Sequence, residues 1–214
     1  VVESIVEDLD AKIEVLRDAA GRWPAAILAS NTSALSITKL GQGAGAPEQT
    51  IGTHYWNPPL LMPLVEVVCG DETADKVADE VIATLRALGK RPLDVRRDVP
   101  GFVWNRLQLA LLREAVWIVE NGVATPEVID ETVRDGLARR WRLTGPFETV
   151  ALGGPDTFTR IAANLFPELS DAHEIRNLGR WLKSDADELA AIRARRDAGL
   201  RDELDRDRQK AARA

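Results

Sequence analysis

The feature that most constrains this chain is a change of pattern at Asp98-Val99-Pro100-Gly101. Before it, short apolar runs alternate with helical spacings, as strand–helix–strand units do. After it, every predicted element is a helix. Val1, Val2, Ile5 and Val6 read as the end of a strand feeding a helix over 9–20, with Leu9, Ile13 and Leu16 on one face and Gly21 and Pro24 as the stop. Residues 25–30 read as a buried parallel strand, 33–40 as a short helix and 41–47 as a flexible loop. Strands follow at 51–55 and 64–68, around a turn holding Pro58, Pro59 and Pro63. A helix over 71–88, with Ala74, Val77, Val81 and Leu85 in register, runs to Gly89, and a last strand covers 91–96. The spacing therefore predicts a parallel α/β domain over 1–97 and a helical domain over 98–214. The helices of the second part are expected at 102–121, from Thr125-Pro126-Glu127 to Gly136, and at 156–166. A final helix is opened by Ser184-Asp185-Ala186-Asp187 as a capping box.

Composition narrows the class of protein. With 45% apolar and 29% charged residues, the 214-residue chain is ordinary for a globular protein and unlike a disordered one. Its longest apolar runs are too short to span a bilayer, and residues 1–14 show no signal peptide. A net charge of −6 argues against nucleic acid as a partner. One cysteine, Cys69, excludes an internal disulfide framework and fits a reducing, cytoplasmic setting. The stretch 184–214 mixes eight acidic with eight basic residues, which reads as a solvated or subunit-bridging helix.

Chemistry concentrates at the predicted strand ends, where α/β sheets build their sites. His54, one of two histidines, closes a strand and is followed by Tyr55-Trp56-Asn57-Pro58-Pro59. Glu66 lies twelve residues on, inside an apolar strand, where a lone carboxylate is costly unless paired. Two readings follow. Either Glu66 fixes the tautomer of His54 and leaves its other nitrogen as a base, or His54 is a core histidine and Glu66 pairs with an arginine. Ser30-Asn31-Thr32-Ser33 would cap the next helix or meet a substrate, capping being the commoner role. Asn105, in an otherwise apolar helix, needs a partner and so bridges to the other domain or faces a ligand. Gly41-Gln42-Gly43-Ala44-Gly45-Ala46 matches a dinucleotide-binding pattern by letter, but it follows a helix and runs into Pro47, so it is not read as a phosphate loop. Six tryptophans are mostly packing residues; Trp56 would also line a pocket.

Several segments together resemble the L-3-hydroxyacyl-CoA dehydrogenase family. They are 29–35 (Ala-Ser-Asn-Thr-Ser-Ala-Leu), 52–59 (Gly-Thr-His-Tyr-Trp-Asn-Pro-Pro), 62–68 (Met-Pro-Leu-Val-Glu-Val-Val), 88–92, 98–106 and Gly145-Pro146-Phe147-Glu148, in the family's order across residues 1–155. The resemblance implies the C-terminal part of a Rossmann-type NAD-binding domain followed by a helical dimerisation and substrate domain. It implies NAD-dependent oxidation of the 3-hydroxyl of a 3-hydroxyacyl-CoA or 3-hydroxy acid. By the same resemblance His54 is the general base, Glu66 its carboxylate partner and Ser33 the group on the reacting oxygen, near the nicotinamide, where Asn57 also contacts the cofactor. Asn57 and Asn105 are active-site amides, and Glu7 and Lys12 contact the cofactor. Arg140-Trp141-Arg142 ahead of Gly145-Pro146 is similar to the branch acting on free hydroxy acids, the carnitine and L-gulonate 3-dehydrogenases. So are the double proline and the charged tail, which resembles the lambda-crystallin type. Arg140 would then clamp a substrate carboxylate, or else make a surface ion pair. The family opens with a strand, a G-x-G-x-x-G turn and a helix that do not precede Val1 here. The expectation is a truncated chain without the pyrophosphate cradle or the CoA-gripping region. Two alternatives accompany the enzyme: a non-catalytic remnant serving as a dimerisation module, and the same chemistry on an aromatic hydroxy compound.

Overall fold

The computed structural model describes residues 1–175, 178–182 and 185–211. Five strands form one sheet in sequence order: β1 (Val2–Glu3), β2 (Leu28–Ser30), β3 (Thr50–Tyr55), β4 (Leu64–Cys69) and β5 (Arg91–Val95). Between them run α1 (Leu9–Arg22), α2 (Ile37–Ala44) and α3 (Asp75–Ala87). β1–β2, β2–β3 and β4–β5 pair in parallel across these helices, as the alternating pattern requires.

The sheet departs from parallel pairing at one place, where β3 and β4, joined by the proline-rich turn, run antiparallel. Only residues 56–63 join them, too few for a crossover helix, so the chain turns straight back. That reversal sets Thr53 opposite Val67 and His54 opposite Glu66.

The sheet buries both faces. On one, Ile51, Val65, Val67 and Cys69 pack under Val77, Ala78, Ile82 and Leu85 of α3. On the other, Leu28 and Val68 meet Leu16 and Ala19 of α1, Ile37 and Leu40 of α2, and Phe102. Strand alternation sends His54 and Glu66 to this second face.

Residues 41–44 are helical and not a loop, which corrects the sequence reading of the glycine-rich segment. Glycine is a poor helix former in isolation, by about 1 kcal/mol, but here it permits close approach. A Cβ on Gly43 would lie 2.5 Å from Ile13 Cδ1, so α1 and α2 touch through the missing side chain. The helix starts at Ser36 and not at Ser33. Ser36 accepts from Lys39 N–H, and Asp98 Oδ2 accepts from the Ser36 hydroxyl (2.6 Å) and Thr38 N–H (3.0 Å).

Two compact units emerge: residues 1–107 with 184–214, and residues 108–183. The turn at 98–101 thus lies within the first. α4 (Trp104–Glu120) is followed by α5 (Pro126–Glu131), whose N-cap is Thr125 as expected. Gly136 does not end that helix. Residues 132–137 form a π-helical stretch leading into α6 (Ala138–Trp141), because one interior glycine costs too little to break a continuing turn. α7 (Pro146–Gly153), which periodicity did not reveal, and α8 (Pro155–Leu165) follow, separated by Gly154 at φ 90°. The last helix, α9 (Ala186–Ala211), is largely exposed. The proposed cap Ser184 lies outside the described residues.

Candidate active site

The antiparallel register of β3 and β4 puts two titratable side chains face to face. His54 Nδ1 lies 2.7 Å from Glu66 Oε2, and both residues are buried. The arginine partner weighed for Glu66 is not what the structure shows. Each carboxylate oxygen carries two donors. Oε2 takes His54 and the Trp56 indole N–H (3.3 Å), while Oε1 takes the backbone N–H groups of Val103 and Trp104, each at 2.9 Å. Burial works to push the Glu66 carboxyl up, but the bonds from His54, Trp104, Val103 and Trp56 outweigh it and hold the group below the ordinary glutamate range. An ionised carboxylate only accepts, so Nδ1 must carry the hydrogen. Nε2 is then the nitrogen with a free lone pair, and it makes no hydrogen bond among the described residues. Phe102 packs edge-on to the imidazole, with ring centroids 5.9 Å apart.

The turn leading into α4 shapes this receptor. Gly101 (φ 77°) and Phe102 (φ 50°) are both left-handed. A bulky residue in that region is strained. The strain is compensated by burying the Phe102 ring and by aiming the next two N–H groups at Glu66.

A second polar cluster supports the adjoining turn. Glu7 Oε1 accepts from the Thr32 hydroxyl (2.6 Å) and from the N–H groups of Ser33 (2.8 Å) and Ala34 (3.0 Å). Burial pushes the Glu7 carboxyl up, but these bonds and the Lys12 charge hold it below its usual range. Lys12, almost wholly buried, pairs with Glu3 (2.7 Å) and Glu7 (3.5 Å) and donates to the Ile5 carbonyl. Glu3 also accepts from the Ser30 hydroxyl. Among residues 30–33, therefore, none caps α2; Ser30 binds Glu3, Asn31 accepts from Tyr55 N–H, and Thr32 serves the turn.

Ser33 and Asn57 are exposed, and Asn105 Nδ2 donates to the Ser33 carbonyl at 2.8 Å. His54, Glu66, Ser33, Asn105, Glu7 and Lys12 are thereby joined in one neighbourhood at the C-terminal edge of β1–β3. Asn57 stands three residues beyond His54, on the loop to β4. Arg140 sits exposed on α6, in the other unit, where its carbonyl accepts from Leu143 and Thr144. Sequence reasoning did not find the roles of Glu3, Trp104 or the 103–104 N–H pair. Backbone donors leave no compositional signal, although Glu3, a buried carboxylate inside a strand, resembles Glu66 in that respect. No helix among the described residues is long and apolar enough to cross a membrane.

A model of the NAD binding domain of 3-hydroxyacyl-CoA dehydrogenase matches residues 1–99, and one of that enzyme's C-terminal domain matches residues 101–187. The L-carnitine dehydrogenase of Burkholderia mallei is 46% identical over 137 residues, covering 64% of this chain and 43% of that protein. The 5-formyl-3-hydroxy-2-methylpyridine 4-carboxylate 5-dehydrogenase of Mesorhizobium japonicum is 36% identical over 176 residues, covering 82% of this chain and 57% of that protein. A crystal structure of such a pyridine-carboxylate dehydrogenase superposes with a TM-score of 0.87 at 32% identity, covering 93% of this chain and 70% of its own. The chain thus spans about half the length of these curated relatives.

Proposed function

Since the chain belongs to the 3-hydroxyacyl-CoA dehydrogenase family, we propose that it carries the catalytic residues for NAD-dependent oxidation of the 3-hydroxyl of a 3-hydroxy acid or 3-hydroxyacyl-CoA to the 3-oxo compound. The observation that carries this reading is the buried His54–Glu66 pair with a free Nε2. The donor set also fits NAD. An exposed Ser33 hydroxyl, an exposed Asn57 amide and the Glu7 carboxylate stand at a strand edge of the kind where nicotinamide cofactors bind. When bound, NAD supplies the hydride acceptor.

The residues manage the proton. His54 Nε2 takes it from the substrate hydroxyl, and Glu66 stabilises the imidazolium that results. Ser33 bonds the reacting oxygen, with Asn105 fixing the Ser33 carbonyl. Asn57 contacts substrate and cofactor. Glu7 holds the Ser33 turn and faces the cofactor, and Lys12 acts through Glu7, because its ammonium is already paired. Arg140 is the group we assign to a free substrate carboxylate. Leu143, Phe147 and Leu152 of the helical unit are about four-fifths exposed, apolar side chains that a subunit contact would cover. We therefore read the assembly as a homodimer through that unit, in a reducing compartment such as the cytoplasm. A second substrate reading, an aromatic hydroxy acid, is favoured by the close superposition on the pyridine-carboxylate dehydrogenase.

The test is NADH formation by the chain with L-carnitine, 3-hydroxybutyrate, 3-hydroxybutyryl-CoA and a hydroxypyridine carboxylate. His54→Gln should lower turnover on the order of a hundred- to ten-thousand-fold with an unchanged circular dichroism spectrum. A variant within a few-fold of the parent would remove His54 as the base.

A further inference from the structure

Glu66 Oε2 does not serve His54 alone. The Trp56 indole N–H reaches the same oxygen at 3.3 Å, and the indole is held there by stacking on Trp104, with centroids 3.8 Å apart and planes 27° off parallel. Trp104 also supplies one of the two N–H groups on Oε1. The chain has therefore divided the charge of one buried carboxylate among four donors, of which the histidine is one.

We propose that Trp56 is a positioning residue that moderates the pull of Glu66 on His54 by occupying the oxygen they share. The inference rests on the reading of His54 as the base. A donor on an anion draws off part of its charge, so the carboxylate stabilises an imidazolium less than it would alone.

The surroundings leave few other groups to set this balance. From β4 the facing group is Glu66, from the turn before α4 the uncharged Phe102, and from α4 Trp104. On the neighbouring β1–α1 edge, Glu3, Glu7 and Lys12 are paired with one another. Asp98 is bound to the N-terminus of α2, and Tyr55 alternates to the opposite sheet face. Among the described residues no lysine or arginine reaches Glu66 or His54 within ion-pair distance.

Trp56→Phe keeps the stacking ring and deletes the donor. Its imidazole signals, followed by proton–nitrogen NMR in a chain with only two histidines, should titrate about half a pH unit higher than in the parent, the size expected of one weak neutral hydrogen bond. The acid limb of the kcat/KM profile should move up with them. Trp56→Leu, which also lacks the donor, provides the second variant and should move in the same direction. An unchanged or lowered midpoint in both overturns the inference, whatever the rates do. A raised midpoint that the rate profile ignores leaves the shared-oxygen inference standing and removes His54 as the base.

Discussion

Replacing Glu66 by glutamine exchanges one carboxylate oxygen for an NH2 group and should disable the site. The amide oxygen can still accept from Val103 and Trp104, the two N–H groups now at 2.9 Å. Its nitrogen must then face His54 and Trp56. As a donor, it bonds Nδ1 only if Nδ1 gives up its hydrogen, which moves the imidazole to the Nε2–H tautomer. The nitrogen that should take the substrate proton then already holds one. The Trp56 N–H is left facing another donor. A stranded buried donor costs about 1–3 kcal/mol, and the charge assistance lost from the remaining bonds is about 1 kcal/mol or more. We therefore expect a loss of about 3 kcal/mol in urea denaturation at neutral pH, and turnover down by about three orders of magnitude or more. The pH dependence has a definite sign. The folded-state carboxyl is held below its ordinary range, so its contribution is complete above the unfolded value near 4.3 and is lost as pH falls through the folded one. The parent should lose stability over that acid window more steeply than Glu66→Gln. If the variant keeps Nδ1 protonated by nitrogen NMR, or turns over within tenfold of the parent, the tautomer argument is refuted.

Two further outcomes are expected. Gly43→Ala should destabilise the first unit by about 1–3 kcal/mol through overpacking against Ile13, contrary to the usual gain from replacing a helical glycine; equal or higher stability in thermal melts would contradict the close-approach account. Arg140→Met should raise KM for free hydroxy acids at least tenfold more than for thioesters, and equal effects on both would dismiss the carboxylate clamp.

Much of the fold was legible because it rests on local patterns. The change from strand–helix alternation to helices at residue 98, the Thr125 cap and the apolar spacing of α3 are written in neighbouring residues. The helical form of the glycine segment at 41–44 was not, because helix propensity there yields to the contact of Gly43 with Ile13, far off in the chain; nor was the π-helical stretch through Gly136, where one interior glycine costs too little to break the turn. The site divides in the same way. His54, Glu66, Ser33 and Asn105 drew attention as polar residues in apolar or strand-end settings. In the sequence Trp56 is a packing or pocket-lining residue, and nothing in its neighbours indicates an indole donor to Glu66.

By itself the sequence determined that a costly carboxylate sits inside an apolar strand and that a histidine ends the strand before it. A short proline-rich link between them was equally plain. Only the tertiary structure decided that the link reverses the chain, so that residues 54 and 66 stand opposite each other. It also decided that a turn some forty residues on brings two N–H groups to the far carboxylate oxygen. The physical reason is that strand register and backbone donors are properties of paired segments. No run of neighbouring residues encodes them, and the ionised, tautomer-fixing state of Glu66 exists only once both are in place.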